Sequence, residues 1–520
     1  MRYKFRYIAR LTVESETAIS VGSGEKGLLT DRLVAKDANG LPYIPGTSLA
    51  GVLRHSLSSE NFINDIFGSG GDQGKGSRLI VSSALLVGED GKTVIEGLKN
   101  ISLHSGYYSY FERLPERDHV RMTDKGAADS VNHGKYDEQL VHKGTRFVFE
   151  MELIGDENDS EQWLKLLQTF ASPVFRIGAG TRKGFGKLKI ISDKSKFKIF
   201  NLTETDQLKL YLNKSGSLND SIENWSALNL NTEMSLYGWT KYSLIIKPRD
   251  FFLFGAGFGD EDADNKTKTE TYFDWSEGKP RLLEKESLLI PGSSIKGIIA
   301  HRVAFHYNKM KGVEIGTTNS VKLTTNFNQD IAINKASEKF NLTSVTFLAN
   351  SKDWDDLEDQ INALSIEKLD DWISFKEELE IEVLDKGNSI APVGENNEAV
   401  KALFGYAKNS KQKIEGLRGR VIINDIYLSH DEKKDKIFNH VKIDRFTSGT
   451  IDGALFQEKA SQYNENITID IWVDKTAFVE NEDVMIAFEK TMEDIAKGNL
   501  QLGGNSAKGH GVFTGTFKKY

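Results

Sequence analysis

Not one of the 520 residues is a cysteine, which excludes disulfides, zinc ribbons and thiol catalysis. No stretch of 18 apolar residues occurs either, so no membrane-spanning helix is expected. The first ten residues, "MRYKFRYIAR", lack the apolar centre of a signal peptide, and the expected location is the cytoplasm. No serine-histidine-acid or P-loop pattern is present. Proline is scarce, at 8 residues against 46 glycines, which suggests loops whose backbone hugs a ligand or another stretch of chain. What is there suffices for folding. The 39% hydrophobic and 10% aromatic residues supply real cores, and the length suits two to three domains.

The formal net charge of −8 argues against a nucleic-acid partner only until its distribution is followed. Residues 352–385 hold 13 acids and 3 bases, which leaves 62 acids and 64 bases elsewhere. The body of the chain is close to neutral and has room for a basic face.

The stretch "IPGTSLAGVLRH" at 44–55 returns as "IPGSSIKGIIAH" at 290–301, an offset of 246 residues. Each copy follows an apolar strand-like run, turns at Pro-Gly, offers two hydroxyls and opens an apolar helix-like stretch. A single copy reads as a capped helix start, and the same layout makes a backbone-amide anion site. Two copies signal repeated architecture. Further landmarks recur in the same order. "LTVESETAISVGSG" (11–24) pairs with "LIIKPRDFFLFGAG" (244–257), and "GSRLIVSSALL" (76–86) with "RGRVIINDIYL" (418–428). "HVRMTDKGAAD" (119–129) pairs with "HVKIDRFTSGTID" (440–452), and "RIGAGTRKGFGKLKI" (176–190) with "QLGGNSAKGHGVFTG" (501–515).

The offset grows from 246 at Ile44 and Ile290 to 342 at Arg78 and Arg420, so the second copy has gained a net 96 residues. The expected organisation is a first domain over 1–195, a polar connector over 196–237 and a second domain over 238–520. An acidic helical insertion falls at about 309–398, where Trp354, Leu357, Ile361, Leu364 and Leu369 stand near helical spacing. Within each copy, strands alternate with one clear helix. The expected class is α+β, with antiparallel sheets, an RRM-like or ferredoxin-like core and long β-hairpin and loop insertions.

The Gly-x-Gly turn, the "IPG[ST]S" helix start, the Phe-Gly corner ("IFG" at 66–68 and "LFG" at 403–405) and the C-terminal glycine loop together resemble the RAMP superfamily. Within it, the chain is most similar to the Cas-seven-type backbone subunits of type III CRISPR effector complexes, here as a tandem fusion of two. The resemblance implies RRM-like palms with projecting β-hairpin thumbs, stacked along a guide crRNA. It implies guide binding at Gly46, Thr47 and Ser48 and at Gly292, Ser293, Ser294 and Lys296. Ala50 stands where the second copy has Lys296, and Arg54 is the expected substitute. The C-terminal loops, Gly178, Gly180, Arg182, Lys183 and Gly184, then Gly503, Gly504, Lys508 and Gly509, are expected to bring backbone and charge close to RNA. Implied partners are the crRNA, a complementary target RNA, other RAMP subunits and the large Cas-ten-type subunit, with no membrane.

In the cleaving members of the family an aspartate lies between the Gly-x-Gly and Pro-Gly turns. Asp31 falls at that place, as catalyst or as a ligand of Mg2+ or Mn2+, while Asp37 in "DANG" reads as an ordinary loop residue. The implied activity is metal-dependent endoribonuclease cleavage of the target RNA. In the second copy, counting back from Gly278 lands at Thr269 or Glu270, and Asp274 is the nearest aspartate. The run Asp260, Asp262, Asp264 mimics the start of a calcium loop but lacks its glycine, and reads as a solvated acidic tip. Two alternatives stay open: a scaffold that does not cleave, and a repeat-RNA processing endonuclease using histidine as general base. His55 with His301 and His119 with His440 recur in both copies.

Overall fold

A computed structural model describes residues 3–27, 30–70, 74–104, 106–120, 134–221, 224–228, 230, 238–313, 392–406, 415–479 and 481–520. Of the acidic insertion expected at about 309–398, residues 314–391, which include 352–385, lie outside the described residues.

Alternation along the first strand, β1 (Phe5–Ser15), sends Tyr7, Ala9, Leu11 and Val13 into one core. The first repeat continues through α1 (Gly46–His55), α2 (Glu60–Phe67), β2 (Leu79–Val81) and β3 (Leu85–Leu86). A hairpin of β4 (Glu116–Val120) and β5 (Lys135–Gln139) follows, then β6 (Arg146–Gly155), α3 (Ser160–Ala171) and β7 (Leu188–Ile190). The sheet is antiparallel, with β2 beside β6, β6 beside β1, and β7 on the far edge of β1. Leu49 and Leu53 of α1 and Trp163, Leu166 and Phe170 of α3 close the core over it.

The segment expected as a connector extends this sheet. β8 (Lys196–Asn201) pairs with β1, and α4 (Thr205–Leu212) follows it. β9 (Ser226–Ala227) pairs in turn with β8. Ile8 points to the opposite side from Tyr7 and packs there with Phe200, Leu202, Leu208 and Tyr211.

The second repeat starts with β10 (Trp239–Pro248), the short strands β11 (Asn265–Lys266) and β12 (Thr269–Glu270), and a hairpin of β13 (Phe273–Asp274) and β14 (Arg281–Leu282). Then come β15 (Ser287–Ile290), α5 (Gly292–Met310), α6 (Glu398–Phe404), β16 (Gly405–Tyr406), β17 (Leu417–Arg418), β18 (Val421–Ile423) and β19 (Ile426–Leu428). The long hairpin β20 (Lys436–Ile443) and β21 (Thr450–Ala460) precedes β22 (Ile467–Asp474), α7 (Glu482–Lys497) and β23 (Phe513–Lys519). Its main sheet runs β18–β22–β10–β23, the order of β2–β6–β1–β7 over again. Ile295 and Ile299 of α5 and Phe488 and Met492 of α7 cover it. The fold is mixed, with antiparallel sheets and few helices, as the repeat pattern predicts. None of the described helices is long and apolar enough to cross a membrane.

One element of the second repeat crosses onto the first. Phe273 is buried against Tyr107 and Phe111, with ring centroids 5.1 and 5.6 Å away, and its N–H donates to Lys143 O at 3.0 Å. Trp275 Nε1 donates to Gly144 O at 2.6 Å. Gly144 has φ +83°, and a Cβ there would stand 2.0 Å from Phe273 O, so only glycine allows this approach.

Candidate nucleic-acid interface

The two long hairpins are built alike. Arg117 pairs with Glu138 and His119 with Tyr136 across β4–β5, as Phe438 pairs with Glu458 and His440 with Phe456 across β20–β21. His119 stacks on Tyr136 at 4.9 Å and His440 on Phe456 at 4.9 Å. Glu138 lies 2.8 Å from His119 and Glu458 lies 2.9 Å from His440. Lys183 Nζ sits 4.3 Å over Tyr136, and Lys508 Nζ sits 4.3 Å over Phe456. The recurring histidines His119 and His440 are thus pinned between a ring and a carboxylate, while His55 and His301 are exposed on helices. This arrangement fixes both rings in the same orientation on the two hairpins.

The first hairpin closes on the second domain. Arg117 Nη1 lies 2.5 Å from Asp425 Oδ2, and Nη2 lies 2.6 and 2.7 Å from the two Glu270 oxygens. Tyr427 Oη completes the group by donating to Glu270 Oε2 at 3.2 Å. Although burial works against its charge, Asp425 and Glu270 hold Arg117 well above the ordinary arginine range.

Asp425 also changes what the second helix start can do. Its Oδ1 accepts the Gly292 N–H at 2.8 Å, so the amide assigned to a guide phosphate is already taken by the chain's own carboxylate. In the first copy the corresponding partner is neutral: Gly46 N–H donates to Ser83 Oγ at 3.3 Å. Thr47 is exposed and Ser48, Ser293 and Ser294 are half-buried beside these starts. Arg54 does not join them. It lies exposed in the last turn of α1, eight residues and roughly 12 Å along the axis from Gly46.

The glycines of the first C-terminal loop serve packing within the chain. A Cβ on Gly178 would stand 2.3 Å from Ser20 O, one on Gly180 2.3 Å from the Phe185 ring, and one on Gly184 2.0 Å from Asp425 Oδ1. The close partners of these three glycines are protein atoms. In the second loop a Cβ on Gly503 would crowd Leu253 O at 2.6 Å and Gly504 is exposed, while Gly509 (φ +93°) faces open space.

Charge gathers where the first loop meets the second domain. Burial, with Arg32 and Lys296 nearby, pushes the Lys183 ammonium down to about 8. Burial and the neighbouring Arg182 lower Lys296. Arg182, buried beside Arg418 and Arg176, is pushed down to about 9, and Arg176, buried, also to about 9. Arg182 Nε donates to Gly419 O at 2.7 Å and Arg176 Nη2 to Asn424 Oδ1 at 2.6 Å, both neutral acceptors. Among the described residues, none of Lys183, Lys296, Arg182 and Arg176 forms an ion pair. Cations held together with their charges unmatched favour a polyanion.

Asp31 stands at the edge of this cluster. Its N–H donates to Asp137 Oδ1 at 2.7 Å, and the Asp137 N–H returns to Asp31 Oδ2 at 3.3 Å. Its neighbour Arg32 lies 5.6 Å over the same Tyr136 ring that carries Lys183. Asp37 instead holds its own turn through Asn39 N–H and Leu41 N–H, the ordinary loop role expected.

The second-copy counterpart of Asp31 is Asp264. Gly22 bridges to Val34 as Gly255 bridges to Thr267, an offset of 233 residues. Gln457 N–H donates to Asp264 Oδ2 at 2.7 Å, the contact that Asp137 N–H makes with Asp31. Asp274 does not occupy the place that Asp31 holds in the first copy. Its carboxylate accepts from Ser276 at the tip of the β13–β14 hairpin, and that hairpin is the extra length that misled a count back from Gly278. Counting forward from the Gly-x-Gly turn finds Asp264 directly. Asp260 belongs to a genuine acidic tip, with Lys459 at 3.5 Å and Lys266 at 3.6 Å. The described residues contain no cluster of three or more acids and histidines fit to hold a metal.

Arg32, Arg176, Arg418, Arg117 and Asp425 were not foreseen from sequence. The one available signal was the exchange of Ser83 for Asp425 within an otherwise matching pair of landmarks.

The chain belongs to the RAMP superfamily, whose family model matches residues 12–189 and again 276–514. Two matched regions agree with two sheets of one strand order. Membership makes this a CRISPR-associated RNA-binding protein of a kind that works in multi-subunit complexes. No curated protein matches it.

Proposed function

We propose that the chain is a tandem Cas-seven-type backbone subunit of a type III CRISPR effector, which holds a guide crRNA across the junction of its two domains and cuts the complementary target RNA. The observation that carries this reading is the cluster of cations, Lys183, Lys296 and Arg182 half-buried and Arg176 buried, which forms no ion pair among the described residues and is contributed by both domains. Such groups bind phosphates whatever the sequence, as a protein serving many guides requires. The β-α-β-β-α-β order with sheet order 2-3-1-4 in each repeat supports RRM-like cores, and the hairpins at 116–139 and 436–460 support the role of thumbs.

Asp31 and Asp264 are the catalytic candidates, one per domain. Each is anchored by a hairpin amide, which fixes its carboxylate without consuming all of its acceptor capacity. In this reading the carboxylate accepts a hydrogen bond from the ribose 2′-hydroxyl and holds it toward the adjacent phosphate. Mg2+ or Mn2+ at Asp31, with Asp137 beside it, would supply charge at that phosphate, the RNA contributing further ligands. Neighbouring RAMP subunits and a large Cas-ten-type subunit complete the complex.

The test is target cleavage by the complex copurified with its guide, with Mn2+ and end-labelled complementary RNA. Regularly spaced products that require Asp31 support the reading. Protection of the target without any cut supports a scaffold, and metal-independent cutting of the guide precursor supports the histidine processor.

A further inference from the structure

Alternation along β1 and β6 gives the first sheet a second face. Leu11, Val13, Phe147 and Phe149 belong to the core closed by α1 and α3, whereas Arg10, Thr12, Arg146 and Val148 point the other way. On that second face is a cavity of about 380 Å³, walled also by residues of 87–94, 193–196 and the connector at 218–225. It falls in the size range of small-molecule sites, roughly 300–1,000 Å³. Neither the helix starts nor the Lys183 and Lys296 cluster contributes to its lining.

Its charged side chains are Arg10, Lys92, Arg146, Lys194 and Lys196, against Asp193 and Asp220. Arg10 is spent within the fold. Its Nε and Nη2 donate to Glu150 at 3.2 and 2.8 Å, and its Nη1 donates to the Leu218 and Asp220 carbonyls. Arg146 is not spent. Its Nε donates to Glu14 at 2.7 Å, but neither terminal nitrogen donates to a described residue, although the side chain is only 12% exposed. The guanidinium thus keeps four N–H donors without a protein acceptor. The Trp275 ring, 3.9 Å away, holds it from one side. Lys194 Nζ donates to the neutral Gly91 O at 3.0 Å. Partial burial, with Arg146 and Lys92 nearby, lowers Lys194, although Asp193 and Asp90 work against this. Among the described residues, Lys92, Lys194 and Lys196 form no ion pair. The rest of the lining is apolar: Val87, Val94 and Val148 cluster with Leu218, and Trp225 stands half-buried.

We propose that this cavity is a separate ligand site for a free nucleoside monophosphate, with the phosphate on Arg146 and Lys194 and the sugar and base against the valines and Trp225. An unused guanidinium fork beside an ammonium matches the oxygens of a phosphate. The apolar part of the lining has nothing to offer an inorganic anion and favours an organic moiety. The carboxylates Asp193 and Asp220 stand among the lysines and repel a run of phosphates, which selects a single nucleotide over a strand. The site does not depend on the guide-binding reading.

Equilibrium dialysis of the full chain with labelled AMP and UMP, and separately with adenosine and inorganic phosphate, is the measurement, with RNA binding followed by anisotropy. Saturable binding of one nucleotide per chain is expected, with adenosine and inorganic phosphate each at least about tenfold weaker. Arg146→Gln and Lys194→Ala should each weaken nucleotide binding at least about tenfold and leave RNA affinity unchanged. Lys194 is exposed, so its variant reports on the site even where Arg146→Gln, which also loses the Glu14 contact, fails to fold. A chain that binds neither nucleotide overturns the proposal, as does a Lys194→Ala chain that binds like the wild type. Inorganic phosphate held as tightly as AMP would mark an adventitious ion only. Displacement of the nucleotide by single-stranded RNA would assign the cavity to the polymer and overturn the proposal too.

Discussion

Asp264 accepts the Gln457 amide at 2.7 Å in the place where Asp31 accepts the Asp137 amide at 3.3 Å. The pairing makes the two repeats equivalent at the position proposed for cleavage. Asp31→Ala and Asp264→Ala should each abolish one target product, by about a hundredfold or more in rate, with guide affinity unchanged. Asp274→Ala should leave all products, since its carboxylate serves a turn. Gel analysis of the three variants checks this, and persistence of every band in Asp31→Ala would remove that residue from the chemistry.

Arg117 is the cation of a buried group that spans the two domains. Arg117→Leu leaves Asp425 and Glu270 buried without it and should cost about 3–5 kcal/mol. Exchanging both partners, Arg117→Phe with Asp425→Ser, should cost less than the single change, because no charge is stranded at Asp425. Urea unfolding of the two variants gives the comparison. A single variant as stable as wild type would show the group to be dispensable.

Lys183 is held down to about 8 in the free protein, and a bound phosphate would raise it. Its contribution to RNA affinity is then complete below pH 8. It is lost as pH rises from about 8 through the higher bound-state value, by up to about tenfold per pH unit. Lys183→Arg keeps its charge across this window and should flatten the profile. Anisotropy titrations from pH 7 to 9.5 decide it, and identical slopes for the two proteins would place Lys183 outside the phosphate contact.

Lys296 lies beside Arg182 and is lowered mainly by burial. Lys296→Ala should weaken binding of unrelated RNA sequences equally and reduce the salt dependence by about one phosphate contact. A loss confined to one sequence would contradict this backbone role.

The repeated fold was legible because its causes are local. The Pro-Gly helix starts, the alternation Tyr7, Ala9, Leu11, Val13 and the ordered landmarks recur at readable spacing, and each forces the same element twice. Asp31 was legible for the same reason, being fixed by its distance from a Gly-x-Gly turn. Asp264 escaped only because the count ran across the β13–β14 hairpin. The occupants of the helix starts and the identity of the cation cluster were settled elsewhere. Arg117 and Asp425 are 308 residues apart and Arg176 and Asn424 are 248 apart. Nothing in either neighbourhood sets their meeting, which exists only once Phe273 and Trp275 strap the second domain to the first. Sequence by itself determined two copies of one fold and the place of Asp31 after the first Gly-x-Gly turn. Tertiary structure decided that one helix-start amide is filled by Asp425, that the loop glycines pack against protein, and that the unmatched cations converge at the junction. The reason is that burial, which sets both the strength of charges and the space open to a ligand, is a property of the packed whole.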